Sequence, residues 1–298
     1  MFREPAFHQH SDTRLAPGVR EFVGRHAPAQ NHLLAALPRR DYERLLPDLE
    51  PVSLPLGWTV YRPGDYETYL YFLTAGIVSR SCVTASGASA GFALTGSEGV
   101  IGVASFLGGE STLTRAVVLS AGYAYRLGAH ALRSEFENDG AMARLLLRYT
   151  QALIAQTAQT AACNRHHTVE QQLCRRILSC LDRLPSNDLT ITQEVIAAVL
   201  GVRRESITEA AGKLQKAGLI DYCSGHIAVL DRSRLEARAC ECYLAVKHQY
   251  ERLLSRYRHA KLAAPRNHLR ARQSIPQGCS SRPSVQITYR RLVLCAEC

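Results

Sequence analysis

Residues 190–220 of the chain, TITQEVIAAVLGVRRESITEAAGKLQKAGLI, contain two apolar-periodic segments separated only by Gly201 and Val202. In the first segment, the apolar residues fall on one face of a helix that begins after Thr192, a residue type that commonly caps helices. Gly201 can adopt the left-handed conformation that ends a helix sharply, and Val202 is placed to fill the corner. So short a break predicts that the first helix holds the second at a fixed, steep angle.

The second segment has one apolar face and one polar face. Its apolar positions follow helical spacing at Ile207, Ala210, Ala211, Leu214 and Ala217. In its first turn, Arg204 can donate two hydrogen bonds to a guanine and Glu205 can accept one from a cytosine. The side chains predicted to contact DNA are Arg203, Arg204, Glu205, Thr208, Glu209 and Lys213. This pattern predicts a helix-turn-helix whose second helix enters the major groove.

Two strand patterns follow the helix pair, Leu219 to Tyr222 and Ile227 to Leu230, on either side of Ser224-Gly225. Strands joined by such a short turn predict a β-hairpin. A hairpin in this position indicates a winged helix-turn-helix. The alternative interpretation is a pair of helices inside an enzyme, and it explains neither the β-hairpin nor the polar first turn of the second helix.

Residues 51–128 have the composition of short strands. Eleven of the 20 glycines lie between Gly57 and Gly122, and β-branched and aromatic runs alternate with turn signals such as Pro63-Gly64-Asp65. This spacing predicts a small antiparallel β-roll or jelly-roll-like domain. Before it, residues 31–50 predict two short helices around Pro38.

From Gly140 to about Asn164 the chain contains no Gly or Pro and has helical periodicity. A helix of that length exceeds what a small roll needs, so an apolar stripe along it favours a partner helix and a homodimer. The predicted dimer contacts are Leu145, Leu146, Tyr149, Leu153 and Gln156. The alternative is that this stripe packs only on its own domain.

The distribution of charge along the chain is weaker evidence for nucleic-acid binding than the net charge alone suggests. The chain has 298 residues and a net charge of +10, but residues 255–298 hold nine Lys/Arg and one acidic residue, which leaves +2 for the rest. The basic tail therefore predicts only non-specific attraction to polyanions. Neither a membrane-spanning apolar run nor a signal peptide is recognisable, so we expect a cytoplasmic protein with no membrane partner.

With roll, long helix and winged helix-turn-helix in that order, the chain resembles the Crp/Fnr family of bacterial transcription regulators over residues 31–254. The most specific segment is ITQEVIAAVLGVRRESITEAAGKLQKAGLI, and RPGDYETYLYFLTAGIV is similar to the family's first roll strands. The resemblance implies a homodimer, a sensor roll and a DNA-binding C-terminal domain, with RNA polymerase as a partner. It also aligns Arg204, Glu205 and Glu209 with the family's base-contacting residues. Many members have Arg at the position of Glu209, so the usual half-site sequence does not carry over.

The sensor departs from the cyclic-nucleotide-binding members of the family. Their phosphate cassette has Glu after Gly and an Arg a few residues later, whereas VIGVASFLGGESTLTRAVV has Val103 after Gly102 and Glu110-Ser111 in place of the Arg. Arg115 comes later, in a strand pattern that favours an outward orientation. Cyclic-nucleotide binding is therefore not expected. No Cys occurs before Cys82, which argues against the family's N-terminal iron–sulfur cluster, and no cofactor or effector is predicted.

Ten cysteines without a secretion signal indicate reduced thiols. The doublets Cys240/Cys242 and Cys295/Cys298 lack a second pair at zinc-site spacing. Cys163, His166, His167 and Cys174 would share a face of a continuous helix and suit zinc, but NRHHTVEQQL resembles the family's junction between domains, where a break would scatter them. We therefore predict no metal site.

The expected fold class is α+β, with an N-terminal antiparallel β-roll sensor, a long central dimerisation helix and a C-terminal winged helix-turn-helix. The expected boundaries are a flexible segment 1–30, the roll 31–138, the central helix 139–168, the DNA-binding domain 169–254 and a disordered basic tail 255–298. The predicted function is sequence-specific transcription regulation at a palindromic DNA site. A sensing or protein-interaction module that has lost specific DNA binding is the alternative, and the chain carries no phosphate loop or nucleophile elbow that would indicate an enzyme.

Overall fold

Two short helices flank Pro38 near the start of the computed structural model, which describes residues 26–109, 111–132, 135–136 and 140–254. Helix α1 spans His32–Ala36 and α2 spans Arg39–Leu45, with 3-10 turns at Pro28–Gln30 and Leu46–Asp48. The two helices predicted around Pro38 are therefore present. The predictions for residues 1–25 and for the tail 255–298 fall outside the described residues.

Asn31 ties α1 to the rest of the N-terminal domain. Its side-chain oxygen accepts from the amides of Leu33 and Leu34 and so caps the helix. Its Nδ2 donates to the carbonyls of Leu73 and Gly99 at 2.9 and 2.8 Å. Because Asn31 is buried, these bonds satisfy a polar group that would otherwise be costly to remove from water.

The N-terminal domain is an antiparallel roll, as the sequence predicts. Its strands are β1 Glu50–Leu54, β2 Thr59–Tyr61, β3 Tyr69–Val83, β4 Ser89–Thr95, β5 Val100–Ile101 and β6 Arg115–Gly128. The order is β1-β6-β3-β4, with β2 paired to β6 and β5 to β3. A short helix, α3 Ala104–Leu107, lies between β5 and β6. The long strands β3 and β6 form the spine on which the other strands pair.

Glycines let the two long strands bend where their register shifts. Gly76 in β3 has φ +86°, and a Cβ there would lie 2.6 Å from the carbonyl oxygen of Ser120. Opposite it, a Cβ on Gly122 would lie 2.2 Å from the carbonyl oxygen of Ala75. The close approach of the backbones requires glycine on both strands.

The central helix α4 spans Ala141–His166, close to the predicted 140–164. At 1.5 Å per residue its 26 residues extend about 39 Å. One face packs on a core formed by the roll and by α1. The helix ends at His167, whose backbone is extended (φ −109°, ψ 153°).

The C-terminal domain is built around a second core. Its elements are α5 Val169–Leu181, β7 Asp188–Thr190, α6 Gln193–Leu200, α7 Arg204–Lys216, β8 Ile220–Cys223, β9 His226–Val229, α8 Arg232–Arg238 and α9 Cys242–Leu254. The small antiparallel sheet has the order β7-β9-β8. Together with the roll, these elements confirm the predicted α+β class with a winged helix-turn-helix.

Helix α9 returns to the N-terminal half of the molecule and packs on α4. The ring of Tyr250 meets that of Tyr149 edge to face, with centroids 6.3 Å apart, and its hydroxyl donates to Gln156 Oε1 at 3.2 Å. No helix among the described residues is long and apolar enough to cross a membrane.

Candidate nucleic-acid interface

The corner between α6 and α7 has the geometry that the sequence predicts. Thr192 caps α6 by accepting from the amide of Val195, and the helix ends at Gly201 in the left-handed region, with φ +68° and ψ +33°. The amide of Val202 donates to the carbonyl of Ala197 at 3.1 Å, and its side chain packs on the C-terminal core. The corner therefore fixes the direction in which α7 leaves α6.

One face of α7 is buried in the domain core. The buried residues of α7 are Ile207, Ala210, Ala211 and Leu214. Ala217, predicted on the same face, is only half-buried and lies at the C-cap. This face fixes α7 against α5 and α6, so the opposite face is held rigidly toward solvent.

The opposite face carries the side chains predicted to contact DNA. All six are exposed: Arg203, Arg204, Glu205, Thr208, Glu209 and Lys213. Arg203 is the N-cap of α7 and makes no side-chain capping bond. Two arginines beside the positive end of the helix dipole favour an approaching phosphate.

Four of these side chains have polar partners. Arg204 Nη1 lies 2.9 Å from Glu194 Oε1, and Thr208 Oγ1 donates to Gln193 Oε1 at 2.7 Å. Glu209 pairs with Lys213 at 2.8 Å, and this hydrogen bond lowers the pKa of Glu209 and raises that of Lys213. Exposed pairs of this kind are weak, so these side chains can exchange their partners at little cost.

Sequence reasoning missed the two α6 side chains in this arrangement. Gln193 and Glu194 occupy the first turn of α6, on the polar side opposite its apolar stripe. Their position in the helix was predictable, but their contact with α7 depends on the crossing angle of the two helices. They align Arg204 and Thr208 before any ligand arrives.

The hairpin beside α7 has a tight turn at Ser224 and Gly225, with φ +51° and +80°. Two positive φ values in a two-residue loop are typical of a type I′ turn.

The bounds of strands β8 and β9 differ by one residue from the predicted ones, and the sequence did not predict the third strand, β7. With three residues and a polar sequence, β7 gives no clear periodicity of its own.

The five residues predicted as dimer contacts are buried within the single chain, which corrects that assignment. They are Leu145, Leu146, Tyr149, Leu153 and Gln156. Tyr149, for example, lies under Gly99, is within hydrogen-bond distance of Thr95 Oγ1 at 3.1 Å, and meets Tyr250 of α9. The stripe therefore packs on its own roll and on α9, which was the alternative that the sequence left open.

A different face of α4 is exposed. Its residues alternate in steps of three and four positions: Arg144, Leu147, Gln151, Ile154, Ala158, Ala161 and Arg165. Leu147 and Ile154 are 50% and 56% exposed. Apolar residues in the seam of a two-stranded coiled coil have the same 3-4 spacing.

The region that corresponds to a phosphate cassette does not fit a cyclic phosphate. Glu67, itself buried, accepts from the amide of Ala104 through Oε2 at 2.7 Å, so a carboxylate already lies at the start of α3. Val103 offers no acceptor for a ribose hydroxyl, and Glu110 lies outside the described residues. Arg115 is half-buried rather than outward, with Nε buried and without a hydrogen-bond partner among the described residues. The carboxylate of Glu67 would repel the phosphate.

The roll contacts the DNA-binding domain directly. Ser89 of β4 donates to the carbonyl of Ala198 in α6 at 3.3 Å. Glu98 pairs with Arg183 at 2.8 Å, and both side chains are largely buried. This pair borders a cavity of about 370 Å³ between α1, α5 and α9. A change in the roll can therefore be transmitted to α6, the helix that supports α7.

Two family models match the chain. One, described as a Crp-like helix-turn-helix domain, matches residues 171–238, and the other, a cyclic nucleotide-binding domain, matches residues 51–139. Among curated relatives, the CRP-like cAMP-activated global transcriptional regulator of Mycobacterium tuberculosis is 23% identical over 202 residues, covering 65% of this chain and 90% of the relative. The global nitrogen regulator of Synechococcus elongatus is 26% identical over 184 residues, covering 59% and 83%.

Solved structures share the fold. FixK2 from Bradyrhizobium japonicum superposes with a TM-score of 0.57 at 17% identity, covering 64% of this chain and 98% of its own. A Crp/Fnr-family transcriptional regulator from Thermus thermophilus gives a TM-score of 0.53 at 21% identity, covering 64% and 98%.

Proposed function

The chain belongs to the Crp/Fnr family of DNA-binding transcription regulators, and we propose that it binds a palindromic site as a homodimer with α7 in the major groove. The observation that carries this proposal is the exposed polar face of α7. Its six predicted contact residues all face solvent while its apolar face is fixed in the core. A rigid helix with this division of faces is what major-groove recognition requires.

Different side chains of α7 serve different purposes. Arg204 donates a bidentate pair of hydrogen bonds to guanine, and Glu205 accepts from cytosine N4. Arg203 and Lys213, at the two ends of the exposed face, contact phosphates and set the position of the helix on the duplex. Thr208 and Glu209 lie between them and complete the face.

The homodimer forms through the exposed stripe of α4, not through the five residues first assigned to it. Leu147, Ile154, Ala158 and Ala161 supply an apolar seam at coiled-coil spacing, flanked by Arg144 and Arg165. Small residues at the C-terminal end of the seam allow close approach of two helices next to the DNA-binding domains. Two recognition helices related by a two-fold axis would contact half-sites about one helical turn apart.

We place the protein in the cytoplasm, where its DNA is, and expect a contact with RNA polymerase, as in activators of this family. The domain boundaries follow the same plan, with the roll at 31–138, the dimerisation helix at 139–168 and the DNA-binding domain at 169–254. The relative from Mycobacterium tuberculosis is named as cAMP-activated, but Glu67 and Val103 argue against a cyclic nucleotide in this chain.

The competing function is a sensing or interaction module that has lost specific DNA binding. One observation favours it: residues 170–254 hold 12 basic and 11 acidic residues, a net charge of only +1. Non-specific attraction to DNA by this domain is therefore weak, and specific contacts must supply most of the affinity.

Selection of genomic DNA fragments by the purified full-length protein at about 0.15 M salt separates the two functions. The test variant is Arg204→Ala/Glu205→Ala. The matched control is Arg39→Ala/Glu43→Ala, which removes an exposed pair of the same residue types, 2.7 Å apart on α2, and leaves the net charge equal to that of the test variant.

We expect the wild type and the control to recover a two-fold symmetric motif, and the test variant to lose it. Recovery of the same motif by the test variant would show that α7 is not the recognition helix. Recovery of no motif by the wild type, with binding that disappears as salt is raised, would favour the interaction module.

A further inference from the structure

Four sulfur and nitrogen ligands meet where the central helix ends. Cys163 lies in the last turn of α4 and His167 directly after it, while Cys240 lies two residues before α9 and Cys242 is the first residue of that helix. One ligand atom from each residue lies within 4.8 Å of all the others. Cys163 Sγ is 3.5 Å from Cys240 Sγ, and Cys242 Sγ is 3.5 Å from His167 Nδ1. Three thiols and one imidazole at such distances can surround a single ion.

The break between α4 and α5 creates this arrangement. His167 has extended backbone, and Thr168 and Gln171 form a capping box that starts α5 in a new direction. His166 remains on α4 and is exposed, and Cys174 is buried on α5 outside the cluster. The set Cys163, His166, His167 and Cys174 on a continuous helix is therefore not what the chain forms.

Outer contacts orient the ligands as they do in metal sites. Glu241 Oε1 lies 3.2 Å from Nε2 of His167, so Nδ1 is the nitrogen turned toward the thiols. Gln159 Nε2 donates to Cys242 Sγ at 3.0 Å. A carboxylate on the outer nitrogen of a ligating histidine is a recurrent feature of zinc centres, where it fixes the tautomer and ring orientation.

Two buried arginines beside the cluster have no carboxylate partner among the residues that the structure describes. Arg175 donates to Thr160, one helical turn before Cys163, at 3.3 Å, and Arg176 Nη2 donates to the carbonyl of Gly91 at 3.5 Å. Within the described residues, Nε and Nη2 of Arg175 and Nε of Arg176 have no hydrogen-bond partner. Buried cations are normally paired. Three thiolates around one divalent cation carry a net charge of −1, which would offset part of this positive charge.

We propose that Cys163, His167, Cys240 and Cys242 bind one zinc ion that joins the end of α4 to the start of α9. Three cysteines and one histidine are a common structural zinc set, and four protein ligands leave no open position for catalysis. Soft thiolates also disfavour magnesium and calcium. The ion fixes the segment through which the central helix meets the DNA-binding domain.

The first measurement is the zinc content of the full-length protein, purified without chelators from zinc-supplemented cells. We expect about one zinc ion per chain. His167→Ala and Cys240→Ser should lower the content at least tenfold. The matched controls are His166→Ala, which removes the neighbouring exposed histidine, and Cys295→Ser/Cys298→Ser, which removes the other cysteine doublet. Both controls should keep their zinc.

A second measurement covers the case in which the ligand variants do not fold. Wild-type protein is stripped with a chelator under reducing conditions and titrated with Co(II), which reports tetrahedral thiolate ligation by visible and charge-transfer bands. Saturation at about one equivalent, with displacement of cobalt by zinc, is the expected result.

Three results would overturn the proposal. They are a wild type without zinc and without the cobalt bands, zinc that is lost with the Cys295/Cys298 doublet instead, or a Cys163–Cys240 disulfide in the protein isolated under non-reducing conditions. None depends on DNA binding, so the zinc site and the proposed function are tested separately.

Discussion

Helices α7 and α4 are both amphipathic, yet the sequence predicts the surroundings of α7 much better than those of α4. Helix α7 has one apolar face and one polar face, so its pattern determines both what is buried and what faces solvent. Helix α4 is apolar on two faces: Leu145, Leu146 and Tyr149 are fully buried, whereas Leu147 and Ile154 are at least half exposed. Periodicity indicates that a face is buried but not which surface covers it. On α4 the larger stripe packs on its own chain, and the smaller one is the surface that we propose for a second copy.

The largest expected effect tests the buried face of α4. Leu146→Ala should lower the free energy of unfolding by about 2–5 kcal/mol, because it leaves a cavity in a packed core. The adjacent Leu147→Ala, at a half-exposed position, should change it by less than about 1 kcal/mol. Denaturant unfolding at a protein concentration below the dimer dissociation constant measures both without the contribution of the proposed dimer seam. Equal losses of unfolding free energy in the two variants would contradict the assignment of Leu146 to a buried face and Leu147 to an exposed one.

The next largest effect tests the exposed face of α4. Leu147→Glu/Ile154→Glu should raise the dimer dissociation constant at least about 100-fold, since two-fold symmetry brings the added carboxylates together in the seam. Sedimentation equilibrium gives the constant, and far-UV circular dichroism checks that the fold is retained. The control Leu56→Glu/Leu113→Glu places the same charges on exposed leucines of the roll. Dissociation by the control, or an unchanged dimer in the test variant, would place the dimer interface elsewhere.

Much of the fold could be predicted because its signals are local. The corner at Gly201, the cap at Thr192 and the turn at Ser224-Gly225 each follow from a few neighbouring residues. The sequence singled out Cys163 with His167 and, separately, the doublet Cys240/Cys242, but it could not bring them together, because Cys163 and Cys240 are 77 positions apart and only the packing of α9 on α4 joins them. The exposed face of α4 could not be told from the buried one for the same reason, since the position of α9 on the helix decides which face is covered.

A smaller effect tests the polar face of α7. Arg204→Ala should weaken binding to the selected site by about 1–3 kcal/mol per half-site and relax the preference at one base pair in each. Affinity measured on the site and on its single-base variants, at constant salt, gives both quantities. Arg39→Ala, an exposed arginine on α2, is the control and should leave both unchanged. A uniform loss on every sequence would make Arg204 a phosphate contact.

The smallest effect tests how far along α7 the DNA contact extends. Lys213 lies three turns from the corner, and its pair with Glu209 at 2.8 Å orients its ammonium group along the exposed face. If it neutralises one phosphate per subunit, Lys213→Ala should weaken binding to all sequences equally and reduce the salt slope by about one for each half-site. Lys216→Ala, at another exposed lysine of α7, controls for net charge. Titrations at several salt concentrations measure the slope. A loss confined to the selected site would show that Lys213 contacts a base. An unchanged salt slope would show that the DNA-binding face of α7 ends before Lys213. In either case the polar pattern of α7 would not by itself tell which residues contact phosphates, just as the apolar pattern of α4 does not tell which surface covers each face.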